Sequence, residues 1–448
     1  MTSYRSHLLG AAVVLGLLFQ HSAVPVAEGA DVFVQGLTTV PASAAGAGVT
    51  SFAVDSEGNR YVFGELSGQV TFAPQMRVEG NGYYLARRNR DDTWSWVKLF
   101  EGVGARIVDL AVVSSGPHAG VYVAGHASST PAGVRYDGRS VPTEDTSNAS
   151  FVLRVDRDTG VRDTSFLLTT DQGRGGVALA RIRSDGSNLY AGGTLDARVK
   201  SNDTLPDRPE DSVRFPNPTG TPAAIRVSNV GDGLWANESD LWLARFDLAA
   251  RRWRWVFVYG GPRDGDVLSD IELEPDAVHF AGAVSDSVAG PNVYGYRVYD
   301  ETGTIVSGLD PNGVPVSGPG TSPATTLPPR SAGARQAVVG TLNPATGALR
   351  RVNQANAPGS SDSLAVDLAG GPNALYLVGA FRNTLTQFAE TDASLASGDP
   401  LRHDGGPEPG GGFVARLSRS DLRVDRLVQL DPAGGYLDAG RSIAAVPN

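Results

Sequence analysis

Apolar residues recur along this chain in runs of about five, alternating with polar ones and closed off by Gly, Asp, Asn or Pro. The stretch from Ser51 to Phe100 shows the whole pattern. Ser51-Phe-Ala-Val-Asp55 precedes a turn at Glu57-Gly58-Asn59, and Tyr61-Val-Phe-Gly64 follows it. A polar loop is expected next. Tyr83-Tyr-Leu-Ala-Arg87, a turn at Asn89-Arg-Asp-Asp92 and Trp94-Ser-Trp96-Val-Lys-Leu99 complete the series. A period of two with Val, Leu, Phe and Tyr enrichment predicts four short strands. Beyond residue 30 no stretch holds a helical period over several turns.

The series recurs. Units are read at 51–100, 109–168, 178–258, 270–352 and 363–430. Four-stranded units repeating at roughly 50 residues or more mark the blades of a β-propeller. The expected fold is therefore all-β: a propeller of four-stranded antiparallel blades forming one domain over 31–448. Asp31-Val-Phe-Val-Gln-Gly36 reads as an outermost strand and Ser442-Ile-Ala-Ala-Val446 as an innermost one. Together they make a split, incomplete sixth blade lacking its middle strands. An inner strand without neighbours leaves ladder groups unpaired, so the sequence is expected to stop short of ring closure.

Gly64-Glu-Leu66-Ser-Gly68-Gln-Val-Thr71-Phe72 parallels Gly379-Ala-Phe381-Arg-Asn-Thr384-Leu-Thr-Gln-Phe388. Gly260-Gly261-Pro-Arg-Asp-Gly-Asp266 parallels Gly434-Gly435-Tyr-Leu-Asp438. With their Gly-Gly, Asp, Asp-x-x-Gly-Asn and Tyr-Val-x-Gly landmarks, these stretches resemble the β-propeller repeat of secreted bacterial proteins. The resemblance covers nearly all of the chain after residue 30. Units two to four lack the Gly-Asn turn, and the third lacks the Asp before its first strand. The resemblance implies an extracellular propeller and no particular chemistry.

Composition adds to this picture. Hydrophobic residues make up 41% and charged residues 19%, which is globular. The 55 Gly and 28 Pro suit many turns. A net charge of −10 opposes non-specific nucleic-acid binding. The absence of Cys excludes disulfides, thiolate catalysis and Cys-ligated metals. Residues 1–30 read as a signal peptide: Arg5 and His7 precede an apolar run from Leu8 to Phe19, and Ala27-Glu-Gly29 offers small residues for cleavage. That run is about a dozen residues, short of the roughly 20 that span a bilayer; an uncleaved anchor is the alternative. A secreted chain without Cys suits a bacterial periplasm or exterior, with no transmembrane span in the mature chain.

Long insertions separate second and third strands at Ala127–Ala149, Thr194–Asp240, Ala283–Gln336 and Arg382–Gly412. Strand alternation puts all of them on one face, opposite uniformly short turns. Tyr294, Tyr296 and Val298 alternate ahead of an Asp300-Glu-Thr-Gly303 turn, which predicts a hairpin inside the third of these insertions. Gly303–Gly333 reads as mobile. The ligand-binding candidates on this face are His126, Trp235, Tyr296 and His403. The pairs Trp94/Trp96 and Trp253/Trp255 lie on outer strands, where packing between blades is the expectation and sugar stacking the alternative. Asp109 and Asp270, with Ser51, Ser363 and Ser442 taken in the same register, would ring a central channel. They bond backbone amides between blades or hold a hard cation such as calcium. No other cofactor is indicated. There is no Gly-x-Ser-x-Gly, His-Glu-x-x-His or phosphate loop, and no catalytic constellation. The expected function is a non-catalytic scaffold binding a protein or polysaccharide through the long loops. The alternative is an envelope glycan hydrolase or lyase on the same scaffold.

Overall fold

The computed structural model describes residues 49–102, 105–127, 134–141, 149–169, 171–172, 176–196, 213–219, 221–228, 230, 239–261, 265–286, 295–309, 314–315, 333–356, 362–371, 373–382, 384–385, 387–388, 401–402 and 411–430. All regular structure among them is β-strand, and no helix there is long and apolar enough to cross a membrane. Residues 1–30, read as a signal peptide, and the strands read at Asp31–Gly36 and Ser442–Val446 lie outside the described residues.

Every unit becomes a four-stranded antiparallel meander. Sheet one is Ser51–Val54, Arg60–Ala73, Met76–Arg88 and Trp94–Glu101. Sheet two is Ala105–Val113, Gly120–Ala127, Ala149–Val155 and Arg162–Thr169. Sheet three is Gly176–Ser184, Asn188–Asp196, Asp240–Asp247 and Arg252–Gly260. Sheet four is Val267–Glu274, Ala277–Asp286, Gly333–Leu342 and Leu349–Asn356. Sheet five is Asp362–Gly370, Ala374–Arg382, Gly411–Ser418 and Val424–Leu430. Alternation gives each sheet apolar faces, and consecutive sheets bury them against each other. Tyr61, Phe63 and Leu85 of sheet one meet Leu110, Val123 and Phe151 of sheet two. Leu243, Trp255 and Phe257 of sheet three meet Ile271, Phe280 and Val338 of sheet four. Each such side chain contributes about 1.5–3 kcal/mol on burial. The first strands of the five sheets pack in succession, one against the next.

Two parts of the chain differ from expectation. The segment between Gly64 and Tyr83 is no loop: Arg60–Ala73 and Met76–Arg88 run on as one long paired ribbon. The ribbon curls back, so that Phe72 packs edge-on against Tyr84 and Trp94 at ring distances of 5.1 and 5.0 Å. Val62, Leu66, Val70 and Ala86 are buried beneath it. The face of sheet one that points away from sheet two is thus covered by its own strands.

The described parts of the insertions are not free loops either. Three of them are sewn to the preceding sheet. The sheet-two insertion carries a hairpin, Val134–Tyr136 and Arg139–Val141, which pairs with Phe100 and Glu101 at the outer edge of sheet one. Gly295–Asp300 and Ile305–Leu309 form the predicted hairpin of the sheet-four insertion, and Gly295–Asp300 pairs along Trp255–Gly260 of sheet three. In the sheet-five insertion, Gln387 and Phe388 pair with Asn356 and Ala355 of sheet four. Val213–Pro216, in the sheet-three insertion, pairs with Asp171–Gln172 just after sheet two. An outer strand offers a row of unpaired backbone groups, and the pairings on sheets one, three and four satisfy part of them. Ile305–Leu309 being a strand corrects the reading of 303–333 as mobile over its whole length.

Candidate functional site

The polar centre of the molecule lies along the first strands. In sheets two to five each of these strands carries a β-bulge at the same place, before Asp109, Arg181, Asp270 and Asp367. These four residues, with Ser51 of sheet one, share a rung: each faces the residue just before the glycine that follows the core of the second strand, at Phe63, Ala124, Gly192, Ala281 and Val378. Ser363 does not share it. It faces Phe381, and its hydroxyl accepts the Ala337 amide at 2.9 Å. Asp367 takes the place assigned to Ser363, because register follows the cross-strand partner and not the likeness of two Ser-x-Ala-Val-Asp runs.

Side chains on and beside this rung tie the sheets together. Ser51 donates to Asp109 Oδ1 at 3.1 Å. Asp109 Oδ2 accepts the Ile182 amide at 3.0 Å, and Asp270 Oδ2 the Leu368 amide at 3.0 Å. Arg183 lies between the two carboxylates, donating to Asp109 Oδ2 at 2.7 Å and Asp270 Oδ1 at 2.6 Å. Arg181 stands 3.3 Å from Asp270. Both expected aspartates thus bond the backbone of the next sheet, and a guanidinium from the chain itself joins them. Burial pushes the Asp270 carboxyl up to about 7; Arg183 opposes the rise and a hydrogen bond with Asp367 adds to it. Burial works against the Arg183 charge, but Asp109, Asp270 and Asp367 outweigh it and raise its pKa. Among the described residues no three His, Asp or Glu side chains converge as a metal cage.

Tyr61, Tyr122, Tyr190, His279 and Tyr376 recur on the second strands, opposite Arg87, Arg154, Arg245, Thr341 and Arg416 on the third. In sheet four this pair becomes a hydrogen bond between His279 Nδ1 and Thr341 Oγ1 at 2.8 Å. Trp96, Trp253 and Trp255 are at most 6% exposed and lie between sheets, whereas Trp94 packs on Phe72 on the opposite face of sheet one, which corrects the expectation for that residue.

Of the ligand-binding candidates, His126 and Tyr296 are described. His126 joins sheet two to sheet three: Nε2 donates to the Leu179 carbonyl at 2.7 Å, and Nδ1 lies 2.8 Å from Ser150 Oγ. Burial holds its pKa below the usual value, with the Leu179 bond opposing. Tyr296 is 1% exposed, packed beside Phe257, with its hydroxyl 3.3 Å from Ser307 Oγ. Trp235 and His403 lie outside the described residues. Arg183 was not singled out in the sequence. Its signal was an Arg two residues beyond the rung, in the unit that carries Arg181 there where the others carry Asp or Ser. The chain matches no protein-family model and no curated protein.

Proposed function

We propose that the five sheets are blades of a β-propeller, and that the protein is a secreted bacterial scaffold that binds an extracellular or envelope protein or polysaccharide without catalysis. The successive packing of the first strands and the face-to-face sheets support the propeller. One observation carries the binding role: three of the four insertions are rooted by strand pairing on the preceding sheet. Loops that spring from rigid roots present their tips at low entropic cost. The role needs no cofactor, since Arg183 stands between Asp109 and Asp270 where a calcium ion would have to compete.

The test is capture of envelope proteins and glycans by the purified chain, with two variant sets. Trp235→Ala with His403→Ala alters the insertions. Glu57→Ser with Arg60→Ser alters the short-turn face. Binding should weaken with the first set alone. Equal loss in both sets refutes the assignment to the insertion face, and turnover of a captured glycan refutes the non-catalytic role.

A further inference from the structure

Two junctions are built from the same parts. Between sheets one and two, the Tyr61 hydroxyl donates to Asp55 Oδ2 at 3.1 Å, and Arg87 and Trp96 Nε1 both donate to the Arg157 carbonyl at 3.0 Å. Between sheets three and four, Tyr190 donates to Asp185 Oδ2 at 3.1 Å, and Arg245 and Trp255 Nε1 both donate to the Pro344 carbonyl at 3.0 Å. The accepting turns correspond residue by residue. In Asp156–Gly160 the Asp158 amide bonds Asp156 Oδ1 at 3.1 Å and the Gly160 amide bonds the Asp156 carbonyl at 2.9 Å. In Asn343–Gly347 the matching bonds are Ala345 to Asn343 Oδ1 and Gly347 to the Asn343 carbonyl, both 2.8 Å. Pro344 therefore stands where Arg157 stands.

The two side chains leave different junctions. The Arg157 guanidinium fills its own: it donates to Glu57 Oε1 at 2.7 Å and the Ser114 carbonyl at 2.5 Å, and lies 3.9 Å from Asp55 Oδ2. Pro344 sends no head group into the matching space. A cleft of about 270 Å³ is open there, walled by Asp185, Glu274, Tyr190, Arg245 and Pro275. Counting from the shared bulges, Pro275 holds the place of Ser114, and Glu274 brings a carboxylate where sheet two has Val113. Asp185 repeats Asp55.

We propose that this cleft receives a guanidinium group from outside the fold, in the position that Arg157 fills from within. A planar, forked cation can meet a carboxylate and a carbonyl together, as Arg157 does, whereas an ammonium is a single point of charge. Arg245 in the wall is no bar, because Arg87 stands beside Arg157 in the filled junction. Arg419, 3.1 Å from Glu274 Oε1, and His279, 3.5 Å from Oε2, share that carboxylate. Among the described residues Asp185 accepts from its own turn and from Tyr190, as Asp55 does from its turn and Tyr61, so it lends charge at the range at which Asp55 stands from Arg157. Glu274 takes the part of Glu57, whose own place is held by Ser187.

The experiment is titration calorimetry of the full chain with N-acetyl-arginine amide, with methylguanidinium and with N-acetyl-lysine amide. The first reports an arginine side chain of a partner, the second a free small guanidinium. The first, the second or both should bind saturably, and the lysine compound should not. Glu274→Gln and Asp185→Asn should each weaken binding on the order of tenfold. Pro344→Arg refills the cleft from within, as in the matching turn. It should abolish binding while far-ultraviolet circular dichroism is unchanged. Should Asp185→Asn fail to fold, Glu274→Gln and Pro344→Arg carry the test. Undiminished binding to Pro344→Arg, equal binding of the lysine compound, or no saturable binding to the folded parent overturns the proposal. The cleft lies among short turns, so these outcomes are independent of partner binding by the insertions.

Discussion

The indole N–H of Trp255 donates to the Pro344 carbonyl at 3.0 Å, and the turn that supplies this carbonyl presents Gly347 to the face of the same ring. A Cβ on Gly347 would come within 2.7 Å of Trp255, and its φ of 71° disfavours any other residue. Trp96 and Gly160 repeat the arrangement, with a Cβ distance of 2.8 Å and a φ of 69°. Shape and hydrogen bond together fix how one sheet docks on the next. Trp255→Ala should cost about 3–5 kcal/mol in urea unfolding. Trp255→Phe keeps most of the buried area and loses the donor, and should cost about 1–3 kcal/mol. Equal costs for the two would mean that packing contributes nothing at this junction.

The Asp270 carboxyl sets a pH dependence. Its pKa is raised to about 7 in the fold, from an ordinary 3.8. A raised folded pKa means that the native state holds the proton more tightly than the unfolded chain. Its contribution is complete below pH 3.8 and is lost as pH climbs through 7. Between pH 4 and 8 this group should withdraw about 2–4 kcal/mol. Comparing urea midpoints across that range, Asp270→Asn should show a shallower decline than the parent. A parallel decline in both would place the titration elsewhere.

Tyr296 discriminates between packing and ligand contact. At 1% exposure, on a strand that pairs with Tyr259 of sheet three, it should lose about 3–5 kcal/mol on Tyr296→Ala. A variant with native stability and reduced partner capture would instead make it a binding residue.

Phe72 tests the curled ribbon. Phe72→Ala removes a ring packed on Tyr84 and Trp94 and should cost about 3 kcal/mol. Hydrogen exchange should then quicken in 66–81 and stay unchanged in sheets three to five. Uniform quickening would mean that the ribbon unfolds only with the whole molecule.

The sequence by itself determined the strands of the five sheets, their order within each sheet, and the hairpin around Asp300. Strand period and turn chemistry are local, and Val298, Tyr299 and the Asp300–Gly303 turn carry them within a few residues. Only the tertiary structure decided that this hairpin belongs to the edge of sheet three and not to sheet four. Edge pairing depends on which backbone groups a neighbouring sheet leaves open, and no property of the segment 295–309 records that. The ribbon of sheet one was hidden for a related reason: Ser67, Gln69 and Thr71 face water on a strand whose other side buries Val70 and Phe72 against its own sheet, so polar residues masked a buried face. The rung of Asp109, Arg181, Asp270 and Asp367 was half legible. Two aspartates were aligned correctly, but Arg183 reaches both only because the bulged first strands of three sheets come together in space.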